Sequence, residues 1–229
     1  MSKMILLVVG ALTALAFTAL AGTATAKETK LRCEGEGRCL FVGTSGQSTF
    51  SMTNNDTVKC ESGEGEGEVT GLNAERESTT GLIQVRYKGC KEQLTAFHFA
   101  CTTPGQASGN VTSNVMTVHS IALPGTAHEA GVLLTNANIT FTCAGGFAST
   151  QVTGNVIGES EEKCNTNTGK AHTTNFTTTG HGLQSLTSYT GVTFKLEGQT
   201  AHTGGAYASF AKLGTASLTF NQNVILTCA

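Results

Sequence analysis

Tryptophan is absent, proline occurs twice, aspartate occurs once at Asp56, and charged residues make up only 13% of the 229. Each shortage excludes something. With no Trp and only Tyr87, Tyr189 and Tyr207, the chain lacks the flat aromatic platforms on which sugar sites stack rings. A single Asp leaves no D-x-D-x-D calcium loop, and a Ser-His-Asp triad would have to run through Asp56 or substitute a Glu. Lys+Arg 14 against Asp+Glu 16 gives a net charge of -2, so no cationic footprint exists for nucleic acid or an anionic membrane. The 28 glycines follow no G-X-Y period, which excludes collagen, and the low charge argues against ordinary disorder. What the chain does hold is threonine, its commonest residue at 38, which is β-branched and favours a half-buried pleated surface.

The first 26 residues read as a secretory signal peptide. Lys3 supplies the positive end, MILLVVGALTALAFTALA (4 to 21) the apolar run, and Ala24-Thr25-Ala26 the small-x-small cleavage site. The competing reading is a transmembrane anchor, since the run approaches the lower limit for a span. It ends in small residues with no stop-transfer charge cluster, which favours the signal. Position 23 is Thr, so a lipoprotein cysteine is missing there. The remaining chain, 27–229, shows no composition break and is expected to be one domain.

All eight cysteines fall in that part: Cys33, Cys39, Cys60, Cys90, Cys101, Cys143, Cys164 and Cys228. An even set on an exported chain reads as disulfides, whereas zinc would want C-x-x-C pairs that do not occur. Cys90 with Cys101 is the first expected pair, because KEQLT joins two strand-like runs whose facing ends they mark. Cys33 with Cys39, closing EGEGR, is the second.

Strand signals recur and helix signals hardly occur. In GLIQVRYKGC, Ile83, Val85 and Tyr87 alternate with Gln84, Arg86 and Lys88; NITFTC sets Ile139, Phe141 and Cys143 against Asn138, Thr140 and Thr142. TGVTFKLEG repeats the pattern with Val192, Phe194 and Leu196. A dozen or so such runs, punctuated by Thr103-Pro104-Gly105, Leu123-Pro124-Gly125, Gly145-Gly146 and Gly204-Gly205, predict an antiparallel, disulfide-stabilised β-sandwich, jelly-roll-like in connectivity. Residues 159–190 are poorest in apolar side chains and read as a long loop or edge region.

The succession VKC (58–60), GLIQVRYKGC (81–90), CTTPGQASG (101–109), GVLL (131–134), FTCAGG (141–146) and VTGNVIG (152–158) resembles a group of uncharacterised secreted bacterial proteins with paired cysteines and a β-sandwich. The resemblance covers about half the chain and implies export and a sandwich fold, with no function attached. Cys33, Cys39, Cys164 and Cys228 are additional to that group's four-cysteine pattern.

The most unusual local stretch is ESGEGEGE (61–68). If extended, Glu64, Glu66 and Glu68 project from one face about 6.5–7 Å apart, a spacing by which some β-sandwich glycoside hydrolases place their acid and nucleophile. A Ca²⁺ site adding Glu34 or Glu36 is a second reading, since hard cations take oxygen ligands. The plain reading is a flexible, solvated acidic hairpin that discourages edge-to-edge pairing. The histidines (His98, His119, His128, His172, His181, His202) show no i, i+2 or i, i+4 pair and no H-E-x-x-H. The sequence around Ser45 misses G-x-S-x-G, and oxidised cysteines are no nucleophiles. Asn55, Asn110, Asn138 and Asn175 match N-x-[ST]. Thr166, Thr168, Thr173, Thr174 and Thr177 to Thr179 suggest a flat hydroxyl surface, but no repeat period supports it.

These observations lead to an expected non-catalytic, secreted structural or interaction protein, meeting an extracellular or cell-surface partner, with no nucleic acid, no membrane after signal removal and no cofactor. The alternative is a carbohydrate-binding or carbohydrate-cleaving sandwich using Glu64, Glu66 and Glu68.

Overall fold

Period-two alternation governs the backbone. The computed structural model describes residues 29–52, 57–93, 98–122, 129–143, 148–176, 196–202, 205–212 and 215–228, and among them every regular element is a strand. In chain order these are β1 (Thr29–Cys33), β2 (Leu40–Ser45), β3 (Ser48–Met52), β4 (Thr57–Cys60), β5 (Ser62–Thr70), β6 (Glu77–Ser78), β7 (Thr80–Lys88), β8 (Lys91–Gln93) and β9 (His98–Thr102). They continue as β10 (Val111–Thr112), β11 (Met116–Ala122), β12 (Glu129–Cys143), β13 (Ala148–Lys163), β14 (Thr166–Asn175), β15 (Leu196–His202), β16 (Gly205–Lys212) and β17 (Thr215–Cys228). Residues 1–26, read above as a signal peptide, and the TGVTFK stretch (190–195), read as the start of a strand, lie outside the described residues.

All pairings are antiparallel, and they close. Starting from β2, the ladder runs through β5, β7, β11, β12, β13, β14 and β17 and returns to β2, an eight-stranded barrel. A second ring leaves the same hairpin, from β13 through β15, β16, β3, β4, β8 and β9 to β12. The all-β antiparallel reading stands; the two-sheet sandwich with open edges does not, because β17 bonds to β14 on one side and to β2 on the other. Closure demands tilted, strongly coiled strands, and β12 and β13, 15 and 16 residues long, supply the length for one hairpin to serve both rings.

Two stretches read as loops are staves of the barrel. The acidic segment is β5, paired with β2 from Leu40↔Glu68 to Ser45↔Gly63 and with β7 from Ser62↔Lys88 to Thr70↔Thr80. Its glycines take the inner side: a Cβ at Gly67 would collide with the Phe41 ring, so only glycine lets that ring lie across the strand. The start of 159–190 completes β13 and forms β14, with residues 177–190 outside the described set.

β12 changes rings at a bulge between Leu134 and Ala137, where Asn136 adopts a left-handed φ of 62°. Asn136 N–H donates to Asn155 Oδ1 (3.1 Å), Asn114 Nδ2 donates to the Asn136 carbonyl (2.7 Å), and Asn138 N–H donates to Asn114 Oδ1 (2.6 Å). The extra residue switches parity, so the inward set changes from Val132 and Leu134 to Ala137, Ile139 and Phe141. One continuous core therefore spans both rings, with Phe50 stacked near Tyr87 and Phe141 (centroids 5.5 Å each).

Four disulfides join Cys33–Cys39, Cys60–Cys90, Cys101–Cys143 and Cys164–Cys228, the pattern of an oxidising compartment. Cys33–Cys39 is the expected pair and closes the loop between β1 and β2, which both pair with β17 as two halves of a broken stave. Cys90–Cys101 is not formed. Cys60, Cys90, Cys101 and Cys143 occupy one row across β4, β8, β9 and β12, as the registers Lys59↔Lys91, Lys91↔Ala100 and Cys143↔Cys101 require. Within the row, Cys101 N–H donates to the Cys90 carbonyl (2.9 Å), which makes that rung the wider, hydrogen-bonded kind. The bonded pairs have Cα separations of 3.9 and 4.1 Å, on the side of the closer, non-hydrogen-bonded kind of rung. Non-reducing peptide mapping is expected to recover Cys60–Cys90 and Cys101–Cys143 with no free thiol. A Cys90–Cys101 peptide would overturn the row assignment.

Candidate functional site

The inner face of the barrel is where the sequence leaves unfilled space. β5 contributes glycines there, while β7 contributes Ile83, Val85 and Tyr87, the face expected from alternation. Ser45, Ile83 and Phe41 fill the space beside the β5 glycines, and further in a chamber of about 70 Å³ remains, walled by Val85, Tyr87, Met116, Leu134 and Phe176. A second chamber of about 50 Å³ shares Phe41, Val118, Val132 and Leu218 with the first, and reaches Ser160 and His172. Phe41 packs on Phe220 (centroids 5.3 Å), which holds it at the junction. Burial pushes the Tyr87 phenol well above its ordinary pKa, so it faces this space as a neutral group.

Ser45 and Thr174 bring aliphatic hydroxyls to the first chamber, and Thr174 is the more deeply buried. It is 1% exposed and its hydroxyl has no hydrogen-bond partner. β14 places it there by alternation, with His172, Thr174 and Phe176 inward, and the registers set Ser160 and Ala216 opposite it. The Thr174 hydroxyl is one of several buried side-chain oxygens without a partner among the described residues, and leaving a buried hydroxyl unpartnered costs about 1–3 kcal/mol relative to a Val of the same shape.

Below it, Ser160, Glu162 and His172 form a compact cluster. Glu162 Oε2 lies 2.9 Å from His172 Nδ1, Ser160 Oγ lies 3.2 Å from His172 Nε2, and Ser160 Oγ donates to Glu162 Oε2 at 3.0 Å. Thr173 N–H donates to Glu162 Oε1 at 2.9 Å. A Ser-His-Glu set suggests nucleophilic catalysis, but the geometry is a triangle and not a relay. In a relay the imidazole stands between hydroxyl and carboxylate; here the hydroxyl touches the carboxylate directly, and the charged oxygen is the stronger acceptor for its proton. The cluster is therefore a polar plug between β13 and β14. Burial alone would raise the Glu162 pKa, but the His172 hydrogen bond and charge, the Thr173 N–H and the Ser160 hydroxyl together pull it from 4.5 to about 2.

Glu64, Glu66 and Glu68 share one face, as expected, but it is the outer face of the barrel, on the other side of β5 from the chambers. Lys88 Nζ pairs with Glu64 and Arg38 pairs with Glu68. The carboxylates lie among Leu40, Val42 and Leu82, which are exposed. Of the tyrosines, Tyr87 is inside, Tyr207 lies on β16, and Tyr189 is outside the described residues. For the Ca²⁺ reading, no three His, Cys, Asp or Glu side chains among the described residues come together to hold a metal. His98 is exposed on β9, His119 Nε2 lies 3.3 Å from Thr135 Oγ1, His202 lies on β15, and His128 and His181 fall outside the described residues. Asn138 is exposed on β12, Asn110 is partly buried, Asn175 Nδ2 donates to Glu161 (3.0 Å), and Asn55 lies outside the described residues.

Sequence reasoning passed over Ser160 and Glu162, met His172 only among six scattered histidines, and took Thr174 as part of a flat hydroxyl surface, whereas it is buried inside the barrel. The signal was present as alternation, Gly158-x-Ser160-x-Glu162 and His172-x-Thr174-x-Phe176, but its inward members are mostly polar or glycine and so raise no hydrophobic pattern.

The arrangement defines a class: a closed antiparallel barrel with a small apolar interior space, of the size range in which eight strands either fill with side chains or enclose one small ligand. No known protein family, curated protein or solved structure matches the chain.

Two outcomes follow from the interior polar groups. Glu162 titrates lower in the folded state than its ordinary value, so its stabilising contribution is present above about pH 4.5 and is lost as pH falls towards 2. Between those values the wild type should lose about 1 kcal/mol more stability than Glu162→Gln, after allowance for solvent screening of a partly exposed carboxylate. For a chain of this size that is roughly 2–4 °C in melting temperature; parallel acid limbs would refute the assignment. Thr174→Val should stabilise the ligand-free protein by about 1–3 kcal/mol in denaturant unfolding, and a loss of stability would show that the hydroxyl is satisfied in solution.

Proposed function

We propose that this chain is an exported, non-catalytic binding protein that holds a small apolar molecule inside its barrel. The observation carrying the reading is the pair of apolar chambers inside the barrel, which share four wall residues and are lined from seven or more different strands. Space of this kind costs packing energy, and a barrel under no demand to bind would gain stability by filling it. Export belongs to the same proposal: the disulfides suit an oxidising environment, and the 1–26 segment has signal-peptide composition. So does an aqueous destination with an extracellular or cell-surface partner, because β5 and β7 point Glu64, Glu66, Gln84 and Arg86 outward, the inverse of a lipid-spanning barrel.

The carbohydrate alternative draws no support from the Glu64, Glu66 and Glu68 ladder, which sits on a convex surface with two of its carboxylates in ion pairs. Nor does the Ser160 cluster favour hydrolysis, for the reason given by its geometry.

n-Hexane added to the folded protein is expected to shift the methyl resonances of Met116, Val85 and Leu134 in a saturable way. Ala216→Leu, which grows a side chain into the first chamber beside Thr174, should weaken that binding at least tenfold while the protein still melts cooperatively. Shifts confined to outer-face methyls such as Val42, or unaltered by Ala216→Leu, would overturn the reading.

A further inference from the structure

The interior also indicates what kind of molecule it takes. We propose that the ligand is a neutral, slender aliphatic molecule carrying one hydrogen-bonding oxygen, with that oxygen seated on Thr174 Oγ1 and the hydrocarbon chain running through both chambers. This inference rests on the binding reading above and narrows it.

Three observations carry it. First, the Thr174 hydroxyl is 1% exposed, unpartnered and borders the chamber, so an incoming oxygen would satisfy a group that is otherwise orphaned. A hydroxyl both donates and accepts, so an alcohol, ketone or ester oxygen suits it. Second, shape selects a chain over a ring. A cavity of about 150 Å³ admits benzene, whereas the two chambers measure about 70 and 50 Å³ and lie against each other, with Phe41, Val118, Val132 and Leu218 in the walls of both. A linear chain is the hydrocarbon whose cross-section suits two small chambers in series. Third, charge is disfavoured. Among the described residues no Lys or Arg lines either chamber, and His172, which borders the second, already faces Glu162 at 2.9 Å. A carboxylate entering this space would be desolvated without a free counter-charge.

The test compares n-hexanol, n-hexane and hexanoate on the oxidised full chain by the same methyl-shift titration, with wild type, Thr174→Val and Thr174→Ser. Thr174→Val should weaken n-hexanol by about 2- to 12-fold, the range of one neutral hydrogen bond, and leave n-hexane unchanged. Thr174→Ser, which keeps the hydroxyl, should retain most of the n-hexanol affinity. Hexanoate at neutral pH should bind more weakly than n-hexanol. If Thr174→Val affects n-hexanol and n-hexane equally, or if hexanoate binds best, this inference is wrong while the binding reading stands. If neither n-hexane nor n-hexanol reaches the interior methyls, the binding reading falls and takes the inference with it.

Discussion

The hairpin of β12 and β13 is the constraint on which the remaining architecture depends. Its ladder runs from Glu129↔Lys163 to Cys143↔Ala148, and different lengths of it belong to different rings. Near its open end β12 bonds to β11 and β13 to β14; nearer its tip β12 bonds to β9 and β13 to β15. A strand crossing from one closed ring to another must keep its apolar side inward in both, and a strict period of two cannot do this where the surface bends. The bulge at Asn136 supplies the missing residue. Its left-handed backbone suits asparagine better than a branched side chain, and the amides of Asn114 and Asn155 satisfy the backbone groups that the bulge removes from the ladder.

Closure changes what the cysteines do. In a barrel the strands have no open edges to protect, yet β4, β8 and β9 are only four, three and five residues long, so their ladders offer few hydrogen bonds. The row from Cys60 to Cys143 lies across those short strands. Cross-linking them limits the unfolded chain across short ladders, whereas Cys33–Cys39 ties the end of β1 to the start of β2 and Cys164–Cys228 ties the end of β17 to the turn between β13 and β14. Half-buried Thr and inward glycine contribute little hydrophobic energy to such a wall, which explains why a barrel with this composition carries four bridges.

What was legible in the sequence follows from the same physics. β7 and the Ile139–Cys143 half of β12 were readable because their inward residues are large and apolar and their outward residues polar, so period two survives in the side chains. β5 was not, because its inward residues are Gly63, Gly65 and Gly67; a glycine face and a flexible linker look alike until a neighbouring Phe41 is known to cover it. The Glu64, Glu66 and Glu68 spacing was right in period and silent about side, since alternation fixes that the carboxylates share a face but not which face the barrel encloses. Cys90 and Cys101 were correctly read as facing one another. Whether two facing cysteines bond depends on rung type, which is set by hydrogen bonds that no local spacing reveals.

A closed all-β interior is an expensive place for polar atoms, and this one holds two kinds. Ser160, Glu162 and His172 satisfy one another, so their burial is compensated and they act as a rigid plug that orients the β13 and β14 ends. Thr174 is two residues along the same strand face and has no such compensation. Had selection acted for stability alone, the plug's neighbour would be expected to be apolar like Phe176 on its other side. The contrast between a satisfied cluster and an unsatisfied hydroxyl, both on β14, separates what the fold needs from what it does not need. It is the second group, beside the apolar space, on which the proposed ligand preference rests.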